Sequence, residues 1–280
     1  MRKMWRWARF VGIALSGLGC LIFAAARYQP VRAAPNGGPG LLYATADFGS
    51  ELVAMNLDSN TVNVIGETGY PFSLGLAFCP PGQQPYTITN TLAGPDAQLA
   101  AINLETGAAT PVGSPLGQSL SIMGLTCSPT GTLYGIGQAN SLDPDFNSLY
   151  IVDRTTGLAT RVGSSGVLTT NAVCPAHGFL MALDFAPDGT LYGANDCSLF
   201  TVDPSTGAAT KVIDFSGVSM VMGLAIDSGG SFFLSNFASD SHIYSLDINT
   251  GAATSILDTG LSHVHNISFH APPAGLTIRP

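Results

Sequence analysis

Short runs in which apolar and polar residues alternate recur along most of the chain. Between positions 181 and 214 the runs are MALDFA, TLYGAN, SLFTVD and ATKVID. They are rich in Leu, Tyr, Phe, Val and Thr, a composition typical of β-strands. Pro187-Asp188-Gly189 separates the first two runs with residues that favour a tight turn. The pattern predicts a meander of four antiparallel strands.

Two phrases repeat along the chain. LETGAAT, RTTGLAT, PSTGAAT and INTGAAT place their glycines at 107, 157, 207 and 251, so the repeat is 44 to 50 residues long. Between them recurs a phrase of the form GLTCSPTGTLYG. A single meander cannot bury both of its faces, so the copies must pack against one another. Four-stranded units of this length predict a β-propeller, in preference to an open solenoid.

Five blades can be counted. The first shows only three strands, at Leu41–Asp47, Glu51–Asp58 and Thr61–Glu67, while a strand at His265–His270 is left over at the other end. We therefore predict an all-β, five-bladed propeller whose last strand completes the first blade and closes the ring. A sixth, divergent blade within Phe72–Ala97 is the alternative.

The phrases ALDFAPDGTLYG and LFTVDPSTGAAT resemble the repeats of secreted bacterial β-propellers, in the neighbourhood of the NHL, YVTN and gluconolactonase-like families. The resemblance covers about Leu41 to His270. It implies the fold but not one activity, because these propellers include lactonases, lyases and binding modules. Gluconolactonase-like members hold a divalent metal at the channel mouth, but this chain lacks their early Glu-Gly-Pro motif.

The first 33 residues read as an export signal. Basic residues precede an uncharged apolar run at Phe10–Ala26, and Val31-Arg32-Ala33 offers a cleavage site. An uncleaved anchor and a lipoprotein attached through Cys20 are the alternatives. We expect a signal peptide (1–33), a linker (34–40), the propeller (41–270) and a tail (271–280), with no membrane insertion beyond the signal segment. The protein is then secreted, either extracellular or periplasmic.

Charge narrows the range of partners. Beyond residue 33 only four basic residues remain against eighteen acidic ones, a net charge of −14. Such a domain has no basic surface for phosphates, so nucleic acid is excluded as a partner. Anionic membranes and acidic glycans are disfavoured for the same reason. Strong negative charge favours solubility and attracts cations.

Four cysteines follow Cys20, an even number that suits an exported chain with two disulfides. Antiparallel pairing brings Cys174 and Cys197 to the same end of one blade, so this bridge is the preferred one. Cys79 and Cys127 lie near the ends of equivalent strands in adjacent blades. They can pair across the blade interface if their backbones approach closely enough.

Candidate ligand-binding residues lie where the second strand of each blade ends. Oxygen-bearing side chains recur there and could surround a cation such as calcium. The structural alternative is that they only close turns. The set consists of Asp47, Asn90, Gln138, Asn195, Asp196 and Asn236.

Three histidines, at positions 177, 263 and 265, lie in segments that enter an innermost strand. Converging imidazoles bind zinc, so His177, His263 and His265 form a second candidate site. His242 and His270 fall elsewhere and support no site. Met123, Met181 and Met222 recur at one aligned position, completed by Leu74 and His265, and are interpreted as packing at the channel mouth.

No nucleophile, phosphate loop or acid–base pair is evident in the sequence. The first functional hypothesis is therefore a binding or interaction scaffold for an unknown protein, peptide or glycan. The alternative is a metal-dependent hydrolase or lactonase of the gluconolactonase-like type, with a divalent ion, calcium or zinc, at the channel mouth. A component of a surface assembly is a third class that the sequence leaves open.

Overall fold

The computed structural model describes residues 41–89, 97–117, 120–138, 147–163 and 179–270, all of which belong to the unit Val31–Pro280. In these residues the strands form five antiparallel sheets of four strands each. The innermost strand of every sheet lies beside the innermost strands of its two neighbours. The sheets therefore form a ring, and the five-bladed propeller predicted from the repeats is confirmed.

From the innermost to the outermost strand, blade 1 consists of β20 (Ile267–Phe269), β1 (Leu42–Ala46), β2 (Glu51–Asn56) and β3 (Thr61–Glu67). In the same order, blade 2 consists of β4 (Ser73–Cys79), β5 (Gln84–Thr89), β6 (Gln98–Ile102) and β7 (Ala109–Pro115). Blade 3 consists of β8 (Ser121–Cys127), β9 (Leu133–Gln138), β10 (Ser148–Val152) and β11 (Ala159–Arg161). Blade 4 consists of β12 (Ala182–Phe185), β13 (Leu191–Ala194), β14 (Ser198–Val202) and β15 (Ala209–Asp214). Blade 5 consists of β16 (Val221–Ile226), β17 (Phe232–Asn236), β18 (His242–Leu246) and β19 (Ala253–Asp258).

The last strand closes the ring. β20 pairs antiparallel with β1, with Leu42 opposite Phe269 and Ala44 opposite Ile267. The predicted completion of blade 1 by the far end of the propeller is therefore confirmed. The stretch Phe72–Ala97 carries β4 and β5 of blade 2, so the sixth-blade alternative is wrong.

Apolar side chains fill the space between neighbouring sheets. Five hydrophobic clusters of buried residues each span one junction between blades. At the junction of blades 5 and 1, for example, Leu42 and Val53 pack with Phe233 and Ile243. Each blade buries both of its faces in this way. The strands predicted from the alternating pattern are therefore stable only when the blades pack together in the ring.

The repeated Thr-Gly phrase connects one blade to the previous one. The glycines at 107, 157, 207 and 251 all have a left-handed backbone, with φ between 74° and 82°. A methyl group on Gly107 would overlap the carbonyl oxygen of Gly66 in blade 1, and one on Gly251 would overlap that of Asp214 in blade 4. Glycine is therefore required both for the turn and for the close approach. The left-handed turn and the close approach to the neighbouring blade explain why the Thr-Gly phrase is repeated.

The methionines recurring at one aligned position pack at the centre of the ring. Met123 and Met181 are buried in one cluster with Leu74, and Met222 packs against it. The side-chain amide of Asn266 in blade 1 donates to the carbonyl of Met123 in blade 3, at 2.6 Å. At this level the channel is therefore filled by apolar side chains and crossed by a hydrogen bond.

A disulfide joins two blades. Cys79 at the end of β4 is bonded to Cys127 at the end of β8, with 5.2 Å between their Cα atoms. The predicted Cys79–Cys127 pair is thus confirmed. Cys197 is also disulfide-bonded, and Cys174, its predicted partner, lies outside the described residues.

Within the described ranges, no helix combines the length and the apolar character needed to cross a membrane. The export signal (1–33), the linker (34–40) and the tail (271–280) lie outside the described residues and stay predictions.

Candidate functional site

The innermost strands begin, and the second strands end, on one side of the propeller, which we call the upper rim. Asp47, Asn195, Asp196 and Asn236 follow or end second strands and lie on this rim, as the sequence predicts. Gln138 ends β9, and only its backbone is described. Asn90 and His177 lie outside the described residues.

Two of the predicted asparagines use their side-chain oxygens to hold turns. Asn195 Oδ1 accepts hydrogen bonds from the backbone N–H groups of Cys197 and Ser198, at 3.1 and 2.8 Å. Asn236 Oδ1 accepts from the N–H of His242, at 2.7 Å. These contacts are those expected of asparagine that closes a turn. Binding of a cation by either oxygen would compete with the turn it stabilises.

The two described histidines of the predicted zinc site have different surroundings. His265 is buried, and its Nδ1 lies 3.0 Å from the side-chain amide nitrogen of Asn266. His263 has a φ of 50°, so the segment is not an extended strand at this point and β20 begins only at Ile267. The three-histidine site stays a prediction, because His177 is outside the described residues.

Aromatic side chains from three blades meet on the upper rim. The ring of Phe48 stacks on that of His263, with 4.1 Å between centroids and 22° between planes. Phe237 lies 5.4 Å from Phe48 and 4.7 Å from His263, and Phe72 lies 6.3 Å from Phe48. We call these four residues the rim aromatic cluster. Phe48 is 39% exposed and the other three side chains are half-buried, so Phe48 is the member most open to a ligand.

The backbone around this cluster is held in an uncommon conformation. Asp47, Phe48 and His263 have φ values of 47°, 58° and 50°, and Met220 has 55°. Met220 is 43% exposed, and its carbonyl accepts the N–H of Phe237 at 2.8 Å. Residues other than glycine adopt positive φ at a cost, and such residues gather at functional sites. The rim aromatic cluster is therefore a candidate for function.

Buried polar atoms without a partner lie near the same segments. Thr45 Oγ1, Ser235 Oγ and His263 Nδ1 are buried and make no hydrogen bond to the described part of the chain. Thr45 stands three residues before Phe48, and Ser235 stands two residues before Phe237. An unpaired buried polar atom is costly, so bound water or a ligand is expected to satisfy such groups.

The carboxylate of Asp184 links three innermost strands through hydrogen bonds. Asp184 on β12 accepts hydrogen bonds from the hydroxyl of Thr126 on β8 and from the N–H of Ile226 on β16, at 2.9 and 2.7 Å. Burial raises the pKa of the Asp184 carboxyl to about 7, although these hydrogen bonds favour its charged form. Burial also lowers the pKa of His265 to about 4. The interior of the ring thus holds two groups that resist ionisation.

A second polar group lies on the upper rim of blade 5, where the sequence predicts no site. The side chains of Asp240, His242 and Asp258 each place one ligand atom within 4.8 Å of the others. His242 and Asp258 face each other across the β18–β19 pair. The sequence gives little indication of this group. Asp240 and Asp258 are 18 positions apart, and the register that places His242 opposite Asp258 depends on a bulge after Ile243.

The three phenylalanines of the rim aromatic cluster are not predicted as site residues from the sequence, whereas His263 is predicted only as a zinc ligand. The available signal is that Phe48 follows Asp47 and Phe237 follows Asn236, so two of the predicted second-strand ends are each followed by phenylalanine. Phe72 stands just before the innermost strand of blade 2 and approaches Phe48 because blades 1 and 2 pack side by side. The predicted polar positions and the observed aromatic ones are neighbours along the chain.

No protein-family model and no curated protein matches this chain. Solved structures are similar to this chain at low sequence identity. A protein of unknown function from Bacteroides thetaiotaomicron is 17% identical, with a TM-score of 0.49, over 81% of this chain and 63% of its own. A gluconolactonase from Xanthomonas campestris is 18% identical, with a TM-score of 0.50, over 81% of this chain and 74% of its own. A chain of a nidogen/laminin complex is 12% identical, with a TM-score of 0.51, over 82% of this chain and 98% of its own. The last two likenesses confirm, at the level of fold, the resemblance to gluconolactonase-like and related β-propellers.

Proposed function

We propose that this protein is an exported binding propeller that holds a protein or peptide ligand on the rim aromatic cluster. The observation that carries the proposal is the meeting of Phe48, Phe72, Phe237 and His263, from three blades, with Phe48 exposed and with Phe48 and His263 at positive φ. Aromatic side chains dominate the energetics of protein interfaces because they bury a large area at a small cost in conformational entropy. A rigid, pre-organised aromatic surface suits binding without chemistry.

The surroundings favour a ligand with apolar and basic side chains. Phe48 and the neighbouring Met220 offer exposed apolar surface, and the ring of His263 stacks beneath Phe48 and supports it. The negative charge of the chain beyond residue 33 attracts cations and repels acidic ligands. One of the solved structures that share the fold is a nidogen/laminin complex, so the fold is compatible with a protein partner.

Selection from a displayed peptide library tests this function. We expect the purified protein to select peptides rich in apolar and basic residues. Phe48→Ala is expected to weaken a selected peptide about 30-fold, the effect of losing a central aromatic contact. Leu158→Ala is the control, because Leu158 is an exposed apolar residue of blade 3, away from the cluster. Equal binding by Phe48→Ala, or selection of acidic peptides only, would contradict the proposal.

A metal-dependent hydrolase or lactonase is the second candidate function. It is supported by the position of Asp47 and Asp196 on the upper rim and by a fold shared with a gluconolactonase. In this case the purified protein is expected to contain a divalent ion and to hydrolyse lactones, and Asp196→Asn is expected to abolish both. Metal content that does not change in Asp196→Asn would exclude this site as the metal centre.

A further inference from the structure

We infer that Asp240, His242 and Asp258 bind a divalent transition-metal ion, such as Zn²⁺, on the upper rim of blade 5. The three side chains supply one imidazole nitrogen and two carboxylate oxygens, all within 4.8 Å of one another. Imidazole combined with carboxylates suits zinc and its neighbours in the first transition row better than calcium, which prefers oxygen ligands alone. We call these three residues the blade 5 triad.

The imidazole of His242 is oriented for such a role. Its Nδ1 lies 3.0 Å from the hydroxyl of Ser255 on the neighbouring strand. Its Nε2 faces Asp240, at 3.7 Å from Oδ2. Histidines that bind metals engage one nitrogen in a hydrogen bond of this kind and present the other to the ion. Ser255 is therefore assigned as the group that positions the His242 ring.

The carboxylate of Asp258 is also oriented. Its Oδ1 accepts the N–H of Gly260, at 2.9 Å. This contact uses one oxygen at the end of the strand and leaves the other for an ion. Neither Asp240 nor Asp258 has a lysine or arginine partner in the part of the chain that the structure describes. A divalent cation would therefore compensate two negative charges that are otherwise close together.

The backbone that carries the triad is fixed by buried neighbours. Ser241, between Asp240 and His242, is buried, and its hydroxyl donates to the carbonyl of Ala238 and accepts the N–H of Val264. Thr259, next to Asp258, is buried and donates its hydroxyl to the carbonyl of Ser241, at 2.5 Å. The two loops are thus bonded to each other below the triad. A pre-organised backbone lowers the cost of assembling a metal site.

The exposure of the triad decides what kind of site it can be. The side chain of Asp240 is 69% exposed and that of His242 is 27% exposed. Three protein ligands leave at least one coordination position open to solvent, as in zinc sites that bind water or a ligand group. The ion would face the solvent on the same rim as the aromatic cluster, although the inference does not depend on the function proposed for that cluster.

Metal binding by the purified protein tests this inference. Calorimetric titration with Zn²⁺, and with Co²⁺ followed by its visible absorption, is expected to show about one site. Asp240→Asn, His242→Gln and Asp258→Asn are each expected to weaken binding at least 10-fold, and Ser255→Ala about 10-fold through loss of the contact that orients the ring. Asp58→Asn is the control, because it removes another exposed carboxylate, from blade 1.

Each outcome of this experiment supports or overturns the inference. Binding that is lost in the triad variants and retained in Asp58→Asn supports it, and a further loss in Ser255→Ala supports the assigned role of that hydroxyl. The inference is overturned if no stoichiometric Zn²⁺ or Co²⁺ binds, or if the triad variants bind as tightly as the parent protein. It is also overturned if every loss of one carboxylate, including Asp58→Asn, weakens binding equally, since binding would then follow overall charge. Circular dichroism of each variant confirms that the fold is intact.

Discussion

Removal of the Cys79–Cys127 disulfide is expected to lower the free energy of unfolding by about 4 kcal/mol, the chain-entropy value for a loop of this length. The bridge joins the ends of two innermost strands, so its loss frees blade 2 from blade 3 in the unfolded chain. The double variant Cys79→Ala, Cys127→Ala is preferred to serine replacements, because Cys79 is fully buried and a serine there would bury a hydroxyl group. Urea denaturation under oxidising conditions measures the effect.

The double alanine variant is needed because a reductant acts on more than one bond. Cys197 is also disulfide-bonded, so reduction of the parent protein combines two losses. Addition of reductant to the double variant isolates the contribution of the second bond. A midpoint and slope of denaturation that are unchanged in the double variant would show that the bridge does not constrain the unfolded chain.

Replacement of Asp184 by asparagine is expected to change how stability depends on pH. The folded-state pKa of about 7 lies above the value near 3.8 of a free carboxyl, so the native protein holds a proton between pH 4 and 7 that the unfolded chain has lost. The contribution of Asp184 to stability therefore falls as the pH rises through that range, by about 4 kcal/mol in total. Asparagine cannot ionise, so this fall should disappear.

His265 changes the pH dependence of stability in the opposite direction. Its folded-state pKa of about 4 lies below the free value of 6.5, so the unfolded chain binds the proton in this range. Stability from this residue rises with pH between about 4 and 6.5. The parent protein should show partial cancellation, Asp184→Asn a rising curve and His265→Gln a falling one. Urea denaturation at half-unit steps of pH gives the curves, with Asp58→Asn as control; parallel curves for all four proteins would contradict the expectation.

The sequence was sufficient for the fold because the fold is repetitive. The Thr-Gly phrases, the alternating runs and the unpaired strand at His265–His270 predict blades, their number and ring closure. They also bring Cys79 and Cys127 to equivalent strand ends, where the bridge is found. Each of these features depends on local pattern or on alignment of one repeat with the next, and both can be read from one chain.

The candidate sites depend on contacts that alignment does not give. Phe48 stacks on His263 where both residues adopt positive φ. Phenylalanine and histidine do not indicate such a backbone conformation in a sequence. His242 meets Asp258 because a bulge after Ile243 sets the register of β18 and β19. The predicted rim residues Asn195 and Asn236 lie where expected, but their oxygens hold turns. Both candidate sites lie in loops or at strand ends, where small changes of backbone decide which side chains meet.

The Thr-Gly phrase is missing from one place in the ring. The turn of blade 1 that corresponds to it carries Ser59-Asn60, so the junction between blade 5 and blade 1 lacks the glycine contact made by Gly107 and Gly251 at other junctions. Blade 1 is also where the chain returns to the first described strand, because β20 pairs with β1. Under mechanical load or thermal agitation we expect the ring to open first at this seam. The rim aromatic cluster combines Phe237 of blade 5 with Phe48 of blade 1, so a ligand bound there would hold the two blades together and slow the exchange of the amide protons of β1 and β20.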